Sequence, residues 1–469
     1  MATLTPHLDR QSTAPLYYQL YGFIVREIRQ GRLAEGEKMP SKRALSDHLK
    51  ISQNTIDTAY QMLVTEGYLR AVPKSGFYVC RVEPPSFSAP APPPPQPEPS
   101  PMPCFAFDFS TNTTAPDAFP YVTWARITKE IMYHQRELLL QGHGQGDLCL
   151  RESIAKYLHE FRGVSCSPAQ LVVGAGMEYL LTLICQLLGD KAVFAMENPG
   201  YPKACQTIRN CGRDVCFVDV EEYGVSLSQL RQGNANVAYI TPSHQFPTGV
   251  VMPIGRRSEL LQWSEQSPDR FVIEDDYDSE FKFSARPVPA LQGLLPSGRV
   301  LYIGTFSRSI APSVRIAYLV LPPCLLPRYQ ALFGNYSSTV SRFEQHTLHR
   351  FLSGGHLERH LNRMKNSYRK SREALLAAWK NSPLAPCVRM LGTNAGLHGL
   401  LQTHGLGEEA ELIAKANAAG VLLKGLSEYC FAPPAPLWQS PTLLFGYARL
   451  SPEQIQTAVQ RLAKAWEPR

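Results

Sequence analysis

Residues 271–281 read FVIEDDYDSEF, in which three apolar residues lead directly into acidic side chains around one tyrosine. A short apolar run of this kind is typical of a strand buried in a sheet. Asp275 and Tyr277 would then lie at the carboxyl end of that strand, the edge at which open α/β sheets bind their ligands. The stretch therefore predicts a buried strand and two candidate binding residues.

Four further short apolar runs alternate with segments of helical character, at residues 171–173, 193–195, 237–240 and 300–303. Strands that alternate with helices predict an α/β domain whose mostly parallel sheet is covered on both faces. Beyond residue 322 the pattern changes to long helices, such as one around residues 350–380. Smaller mixed elements follow and predict a C-terminal α+β subdomain.

Three other motifs place binding groups next to predicted strand ends. The motifs are GAGMEYL, ENPGYP and GTFSRSIAPSVRIAY, and their candidate residues are Ala175, Gly176, Met177, Tyr201, Thr305, Ser307, Arg308 and Arg315. The helix that follows GAG would direct its first backbone N–H groups at an anion such as a phosphate. Each motif is weak by itself, but their order and spacing together predict one site.

The first 82 residues predict a separate small unit. Apolar residues recur at helical spacing from Leu16 to Ile28, and Pro15 can start that helix. Ser41 is a candidate N-cap of a second helix, and Ser52 begins a third. The runs 68–70 and 77–79 bracket the turn Pro-Lys-Ser-Gly, which predicts two strands and a wing.

Three helices and a wing suit a duplex-binding module whose third helix enters the major groove by its N-terminal end. Gln and Asn at that end can form paired hydrogen bonds with adenine, and Ser or Thr can reach bases or phosphates. Basic residues of the second helix and the wing can hold the DNA backbone. The candidate DNA-binding residues are Ser41, Lys42, Arg43, Ser52, Gln53, Asn54, Thr55, Lys74 and Gly76.

A proline-rich stretch separates the two regions. Residues 84–103 read PPSFSAPAPPPPQPEPSPMP, and proline lacks the N–H that a helix or a central strand needs. We expect an extended spacer of polyproline-II type, up to roughly 60 Å long. A proline-rich ligand for a partner domain is the alternative. The predicted division is a DNA-binding domain at 8–82, a linker at 83–104 and a large domain at 105–469.

Charge and cysteine usage narrow the class of protein. The net charge is +7, and the first 83 residues hold 11 Lys and Arg against 8 Asp and Glu, a bias compatible with nucleic acid. The 11 cysteines show neither a C-x-x-C pair nor a Cys/His ligand spacing, so we expect reduced thiols and no metal site. With no signal pattern and no membrane-length apolar run, the expected location is the bacterial cytoplasm, at the nucleoid.

The N-terminal unit resembles the DNA-binding domain of the GntR family along its whole length. The specific matches are G-x-x-x-P-S-x-R-x-L before and within the second helix and S-x-N-T-x-x-x-A-Y in the third. The large domain resembles fold type I aminotransferases, and the whole chain from about residue 8 onward is similar to the MocR subfamily of GntR regulators. The segments TPSHQFPTG, GQGDLCLR and SRFEQHTLHRFLSGGHLERHLNRM add to that resemblance.

The resemblance implies an α+β winged helix-turn-helix, followed by an α/β fold type I domain of the kind that binds pyridoxal 5′-phosphate (PLP). It also implies a homodimer that senses PLP or a PLP–amine adduct. In such a site Asp275 would face the ring nitrogen, Tyr277 the ring oxygen and Tyr201 the ring face. The phosphate would be held by the GAG turn, by the hydroxyls of Thr305 and Ser307, and by Arg315.

The sequence departs from the family pattern at the reactive position. The family motif T-F-S-K-S-x-x-P reads here Thr-Phe-Ser-Arg-Ser-Ile-Ala-Pro, so Arg308 replaces the lysine that binds the cofactor covalently. A guanidinium stays protonated, with a pKa above about 12, and is not a nucleophile. The substrate-carboxylate arginine is missing around Leu444. Met177 replaces a residue that often offers a hydroxyl to the phosphate, and Gln141 stands where a tyrosine from the partner subunit is frequent.

These departures predict a regulator and not an enzyme. The leading interpretation is a sequence-specific DNA-binding regulator that binds PLP or a PLP–amine adduct noncovalently, with Arg308 paired to an anionic group. The pocket could instead bind an unrelated anionic ligand, or the domain could be a dimerisation scaffold. An aminotransferase that carries a DNA-binding module, and an architectural DNA-binding protein without a ligand, are the remaining alternatives.

Overall fold

The computed structural model describes residues 4–6, 8–9, 12, 14–82, 105–111, 115–283, 288–296 and 298–467. The chain divides into two compact units, Met1–Met102 and Pro103–Arg469. The predicted linker at 83–104 lies outside the described residues. In the described part of the chain, no helix combines the length and apolarity needed to cross a bilayer.

The first unit contains three helices and a two-stranded wing, as predicted. The elements are α1 (Leu16–Arg29), α2 (Lys42–Leu49), α3 (Gln53–Thr65), β1 (Leu69–Val72) and β2 (Gly76–Val79). Ser41 and Ser52 cap α2 and α3 by accepting hydrogen bonds from the N–H groups of Ala44 and Thr55. The side chains of Leu20, Ile24, Ile56, Ala59, Tyr60 and Leu63 are fully buried and form the centre of its core.

The first half of the second unit alternates strands with helices. Its elements are β3 (Phe107–Asp108), α4 (Tyr121–His134), α5 (Leu148–Arg162), β4 (Leu171–Gly174), α6 (Met177–Leu188), β5 (Val193–Asn198), α7 (Pro202–Asn210), β6 (Asp214–Glu221), β7 (Gly224–Val225), α8 (Leu227–Gln232), β8 (Val237–Ile240), α9 (Ile254–Glu265), β9 (Phe271–Asp276), α10 (Leu291–Leu294), β10 (Val300–Thr305) and β11 (Ala317–Val320). The five predicted strands are present. The sequence interpretation missed β3, β6, β7 and β11.

The remaining elements are mainly helices and a small sheet. They are α11 (Leu326–Phe333), α12 (Arg342–Ser353), α13 (His356–Lys380), β12 (Val388–Leu391), β13 (His398–Thr403), α14 (Glu409–Ala418), β14 (Val421–Leu422), β15 (Lys424–Gly425), β16 (Thr442–Gly446) and α15 (Pro452–Trp466). The prediction of a single helix around residues 350–380 was wrong at the start of that range, where α12 ends and α13 begins. Gly354 and Gly355 break it, since Gly355 has a φ of +64° that a helix does not allow.

The large sheet has the strand order β4-β11-β10-β9-β8-β5-β6-β7. The pairs among β10, β9, β8, β5 and β6 are parallel, while β11, β4 and β7 join in antiparallel orientation. This confirms the mostly parallel sheet. The C-terminal subdomain has its own antiparallel sheet, in the order β12-β13-β16-β15.

Strand β9 separates its acidic side chains onto two faces, because side chains alternate along a strand. All six of its residues are buried. Glu274 accepts hydrogen bonds from the N–H groups of Leu291 and Gln292 at 2.9 and 3.1 Å. Asp276 pairs with Arg162 at 2.6 Å. Asp275 points to the opposite face and is thereby free of these structural pairings.

Candidate functional site

One cavity opens at the carboxyl ends of β5, β9 and β10, the edge at which the sequence places its candidate residues. Eight of the ten predicted cofactor residues line it, namely Met177, Tyr201, Asp275, Tyr277, Thr305, Ser307, Arg308 and Arg315. The other two, Ala175 and Gly176, directly precede Met177, and Arg315 Nη2 lies 3.4 Å from the carbonyl oxygen of Ala175. Motifs that span 140 residues of sequence therefore meet in one place.

Asp275 is the buried carboxylate of the cavity. Its Oδ2 accepts a short hydrogen bond from the hydroxyl of Tyr239 on the neighbouring strand β8. Burial raises the pKa of Asp275 to about 7, against the opposing effects of the Tyr239 hydrogen bond and the charge of Arg308. The carboxylate is thus costly to ionise unless a ligand brings a positive charge or a donor to it.

Tyr277 contacts a cluster of buried polar side chains behind the cavity. Its hydroxyl lies 3.0 Å from Nδ1 of His244, and that nitrogen also lies 2.9 Å from Oδ2 of Asp278. The ring of His398 lies 4.8 Å from the ring of His244, and His398 Nε2 lies 3.0 Å from the carbonyl oxygen of Pro247. The contact with His244 therefore holds the side chain of Tyr277 in position.

His244, Asp278 and His398 are also the group of potential metal ligands that the described residues contain, with ligand atoms within 4.8 Å of one another. The Cys/His spacing in the sequence gave no indication of it. His244 and Asp278 already bond to each other, and burial together with His244 and Arg308 holds the pKa of His398 well below its usual range. We interpret the cluster as support for Tyr277.

The N-terminus of α6 forms a cradle beside Arg315. Gly176 is its N-cap, with a φ of +99°, and a Cβ added there would lie 2.2 Å from Nη2 of Arg315. Thr305 and Ser307 hydrogen-bond through their hydroxyls at 2.9 Å on the neighbouring wall. Arg315 itself pairs with Glu178 at 3.0 Å. The N–H groups of Ala175 and Gly176 already donate to Thr339 Oγ1 and to the carbonyl oxygen of Gly174. The backbone N–H groups that open α6, two hydroxyls and a guanidinium suit a phosphate group.

Tyr201 supplies the aromatic wall. Its ring meets that of Phe246 edge-on, with centroids 5.5 Å apart, and burial raises its pKa to about 12. Phe246 belongs to a small apolar cluster with Tyr429 and Leu444. Leu444 is fully buried in that cluster, so the place of the missing carboxylate arginine is apolar.

Arg308 lies on the cavity wall with 9% of its surface exposed. Its guanidinium donates to the carbonyl oxygen of Thr111. Burial raises the pKa values of Asp275, Tyr201 and Tyr277, and the positive charge of Arg308 acts to lower them. Arg308 is therefore a buried cation among these groups. The cavity thus has a positive side at Arg308.

The sequence interpretation missed five residues that line the cavity, namely Glu178, Lys203, Thr241, Phe246 and Pro312. All lie within or beside motifs already quoted, and TPSHQFPTG contains two of them. Lys282, which follows the acidic segment 274–280, is not among the residues that line the cavity. Its Nζ is buried without a hydrogen-bond partner, and burial lowers its pKa to about 8. Gln141 also lies outside the lining and donates to Ser337.

PLP can be tested against this geometry. The backbone at Gly176, with a φ of +99°, disfavours a side chain, and the N–H groups that open α6 and the guanidinium of Arg315 match a phosphate. Asp275 matches a protonated ring nitrogen, and Tyr277 matches the ring hydroxyl. The residues therefore fit the cofactor noncovalently, whereas the guanidinium of Arg308 does not fit a covalent attachment.

The candidate DNA-binding residues lie on the first unit at the starts of α2 and α3 and in the wing. Ser41, Arg43, Ser52, Gln53, Asn54 and Lys74 are exposed, while Lys42, Thr55 and Gly76 are half-buried. Lys42 forms an ion pair with Asp57, so part of its charge is used inside the unit. Lys74 and Gly76 adopt positive φ values of +60° and +119°, which shape the wing turn.

Family models match both units. The model of the gntR family of bacterial regulatory proteins matches residues 16–79, and that of aminotransferase class I and II matches residues 107–462. The chain is 32% identical to the probable rhizopine catabolism regulatory protein MocR of Rhizobium meliloti, over 98% of this chain and 95% of MocR.

Two further proteins are similar. The HTH-type pyridoxine biosynthesis transcriptional regulator PdxR of Corynebacterium glutamicum is 31% identical, over 86% of each chain. The structure of LysN, an alpha-aminoadipate aminotransferase from Thermus thermophilus complexed with N-(5'-phosphopyridoxyl)-L-leucine, has a TM-score of 0.66. Its identity is 26%, and the match covers 77% of this chain and 92% of LysN.

Proposed function

This chain belongs to the family of HTH-type transcriptional regulators in which a gntR-type domain is fused to a class I and II aminotransferase domain, and we propose that its large domain senses PLP or a PLP–amine adduct without a covalent bond. The protein is a DNA-binding regulator, like the relatives that share nearly its whole length. The observation that carries the proposal is the convergence of Asp275, Tyr277, Tyr201 and Arg315 in one cavity, beside the start of α6.

Each of these groups has a role toward such a ligand. When bound, PLP supplies an aldehyde and an electron-withdrawing pyridinium ring. Asp275 accepts a hydrogen bond from the ring nitrogen, Tyr277 donates to the ring oxygen, and Tyr201 packs on the ring face. The phosphate binds at the N-terminus of α6 and to Thr305, Ser307 and Arg315. Arg315 gives up its ion pair with Glu178 and pairs with the phosphate instead.

Arg308 is the residue that favours a sensor over an aminotransferase. Since a guanidinium neither attacks an aldehyde nor carries a proton away near neutral pH, Arg308 cannot perform the steps of an aminotransferase lysine. It instead holds a positive charge at the cavity wall, where it pairs with an anionic group of the ligand. The phosphopyridoxyl–leucine adduct bound to LysN shows that a related fold accommodates ligands of this size.

We further propose that the protein acts as a homodimer at the bacterial nucleoid, with a DNA-binding domain at 8–82, a linker at 83–104 and the sensor at 105–469. Exposed apolar side chains of the large domain support the dimer, namely Tyr121, Val122, Met132, Tyr133, Leu139 and Leu140. Two DNA-binding units per dimer would read paired half-sites, with Ser41, Lys42, Arg43, Ser52, Gln53, Asn54, Thr55, Lys74 and Gly76 at the DNA. Ligand would shift the equilibrium between dimer arrangements that bind DNA differently.

An unrelated anionic ligand is the second candidate. Arg308, Arg315 and Lys203 give the cavity three cations against the carboxylates of Asp275 and Glu178. A ligand without an aromatic ring would use these cations and leave Tyr201 and Tyr277 without a role. The dependence of ligand binding on Tyr201 therefore distinguishes a pyridoxyl ligand from an unrelated anion.

The test is a calorimetric titration of the purified full-length protein with PLP, with N-(5′-phosphopyridoxyl)-leucine and with inorganic phosphate. We expect binding of one or both pyridoxyl compounds and a loss of at least about fivefold in Tyr201→Ala, since aromatic packing contributes roughly 1 kcal/mol or more. Tyr223→Ala, at an exposed tyrosine outside the cavity lining, is the matched control. Binding of phosphate alone, or an unchanged affinity in Tyr201→Ala, would contradict the proposal.

A further inference from the structure

Helix α13 (His356–Lys380) carries most of the excess positive charge of the chain. Its 25 residues contain seven Lys and Arg against two Glu, a net charge of +5, while all 469 residues together have +7. Surfaces of globular proteins usually intersperse the two signs of charge. A concentration of one sign on a single helix indicates a surface that attracts anions.

The charges lie on the side of α13 that faces solvent. Its buried residues, among them Leu361, Met364, Tyr368 and Leu375, recur at helical spacing and form one stripe. Arg359, Arg363, Arg369 and Lys370 are exposed, and Lys365 is half-buried. These five residues are called the α13 basic surface below. Arg372 is excluded because it is half-buried, donates to the carbonyl oxygen of Thr393 and covers the ring of Phe283. Arg359 also donates to a carbonyl oxygen, that of Gly354, but its side chain stays exposed.

These charges are not neutralised inside the protein. Other exposed helices of the domain form ion pairs one turn apart, such as Lys156–Glu160 in α5 and Lys415–Glu411 in α14. Within the described residues, no side chain of α13 forms an ion pair, whereas Glu130 of α4 pairs with Arg126 and with Arg350 of α12. The basic surface therefore keeps its full charge toward solvent.

Helix α4 extends the positive field toward the start of α13. Burial, followed by the charges of Arg359 and Arg126, lowers the pKa of His356. Arg126 of α4 thus lies close enough to act on the same imidazole as Arg359. Positive charge continues across two helices and is not confined to one side chain.

We propose that the α13 basic surface binds the phosphate backbone of duplex DNA, as a contact additional to those of the winged helix-turn-helix. Duplex DNA carries one negative charge per about 1.7 Å of axis, and α13 rises about 10 Å from Arg363 to Lys370. Three cations over that length match several phosphates. Contacts of this kind position DNA but do not read its sequence.

Removal of the charges gives a measurable signature, because each phosphate contact releases counterions. The variant Arg363→Gln/Arg369→Gln/Lys370→Gln is compared with Lys156→Gln/Lys191→Gln/Lys464→Gln, which removes three exposed lysines elsewhere on the same domain. The probe is a fluorescein-labelled mixed-sequence DNA duplex of about 60 base pairs. Its affinity is measured by anisotropy from about 50 to 200 mM salt, the range in which phosphate contacts change affinity steeply.

We expect the slope of log K against log salt concentration to fall by about 2 to 3 in the α13 variant, at roughly 0.9 per lost contact. The control variant should change it by less than about 1. A third variant, Arg363→Lys/Arg369→Lys, keeps the charges and should retain the wild-type slope. Thermal unfolding of all three variants identifies any loss of folding. The proposal is wrong if the α13 variant keeps the wild-type slope, or if both glutamine variants lose the same amount.

Discussion

The guanidinium of Arg308 donates a hydrogen bond to the backbone carbonyl oxygen of Thr111, 197 residues earlier in the chain. This contact ties the loop after β10 to the segment after β3. It also fixes the guanidinium at the cavity wall. Arg308 therefore gives the site a buried positive charge.

Arg308→Lys should restore covalent attachment of PLP. The shorter ammonium can lose its proton and attack the aldehyde, while Asp275 and Tyr277 remain in place. Borohydride treatment followed by peptide mass analysis should locate the adduct at residue 308 in the variant and find none there in the wild type. Arg308→Met, which offers no nucleophile, is the control. A wild-type adduct at Lys203 or Lys282 would contradict the noncovalent proposal.

Asp275→Asn should make the ligand-free protein more stable above neutral pH. The folded pKa of Asp275 is raised to about 7 from 3.8, so the folded state holds this proton more tightly than the unfolded state. Stability from this group therefore falls as pH rises from about 4 to about 7. The gain in the variant should reach at most about 4 kcal/mol at pH 8 and vanish near pH 4.

Urea unfolding at several pH values measures that difference, and the same variant should bind PLP more weakly than wild type. The opposite signs of these two effects would show that the carboxylate is kept for a ligand. Equal stability of variant and wild type at pH 8 would mean that Asp275 ionises without cost.

Gly176→Ala should weaken ligand binding more than it weakens folding. The added Cβ would meet the guanidinium of Arg315 at 2.2 Å, and the φ of +99° disfavours a side chain. We expect a loss of about 1–3 kcal/mol in stability and a larger loss in affinity for PLP. Gly212→Ala also has a positive φ, of +70°, but meets nothing within 4 Å, and so controls for backbone strain. Calorimetry and thermal unfolding give both quantities.

Arg162→Met should destabilise the large domain by about 3–5 kcal/mol, because it leaves the buried carboxylate of Asp276 without its partner. Arg162 and Asp276 have side chains that are 3% and 1% exposed. Asp276→Asn in the same chain should recover part of the loss, since the uncompensated charge is then gone. Chemical unfolding measures all three proteins. A double variant no more stable than Arg162→Met would show that packing and not charge decides the effect.

Asn54→Ala combined with Arg43→Ala should abolish sequence-specific DNA binding. A paired contact to a base is worth about 1–3 kcal/mol, and loss of a phosphate contact adds to it. Gel shift of the intergenic DNA upstream of the gene measures the effect. Arg32→Ala, at an arginine already paired with Glu27, is the control. Unchanged binding by the Asn54/Arg43 variant would mean that another surface reads the DNA.

Local patterns were enough to predict much of the molecule. Apolar runs gave five of the strands, because a strand that is buried on both faces is continuously apolar. Ser41 and Ser52 marked the starts of two helices, because a hydroxyl there accepts the N–H groups that a helix leaves unpaired. The helix predicted around residues 350–380 was wrong at Gly354 and Gly355, where backbone conformation outweighs the apolar periodicity.

The sequence by itself determined the two-unit organisation, the fold of each unit and the residue types of the cavity, Arg308 among them. Those follow from periodicity, composition and motif order. Only the tertiary structure decided which side chains meet. It pairs Arg308 with Thr111, places His244 and Asp278 behind Tyr277, and leaves the charges of α13 toward solvent. Such contacts join residues distant in the chain, and their geometry depends on packing that no local pattern encodes.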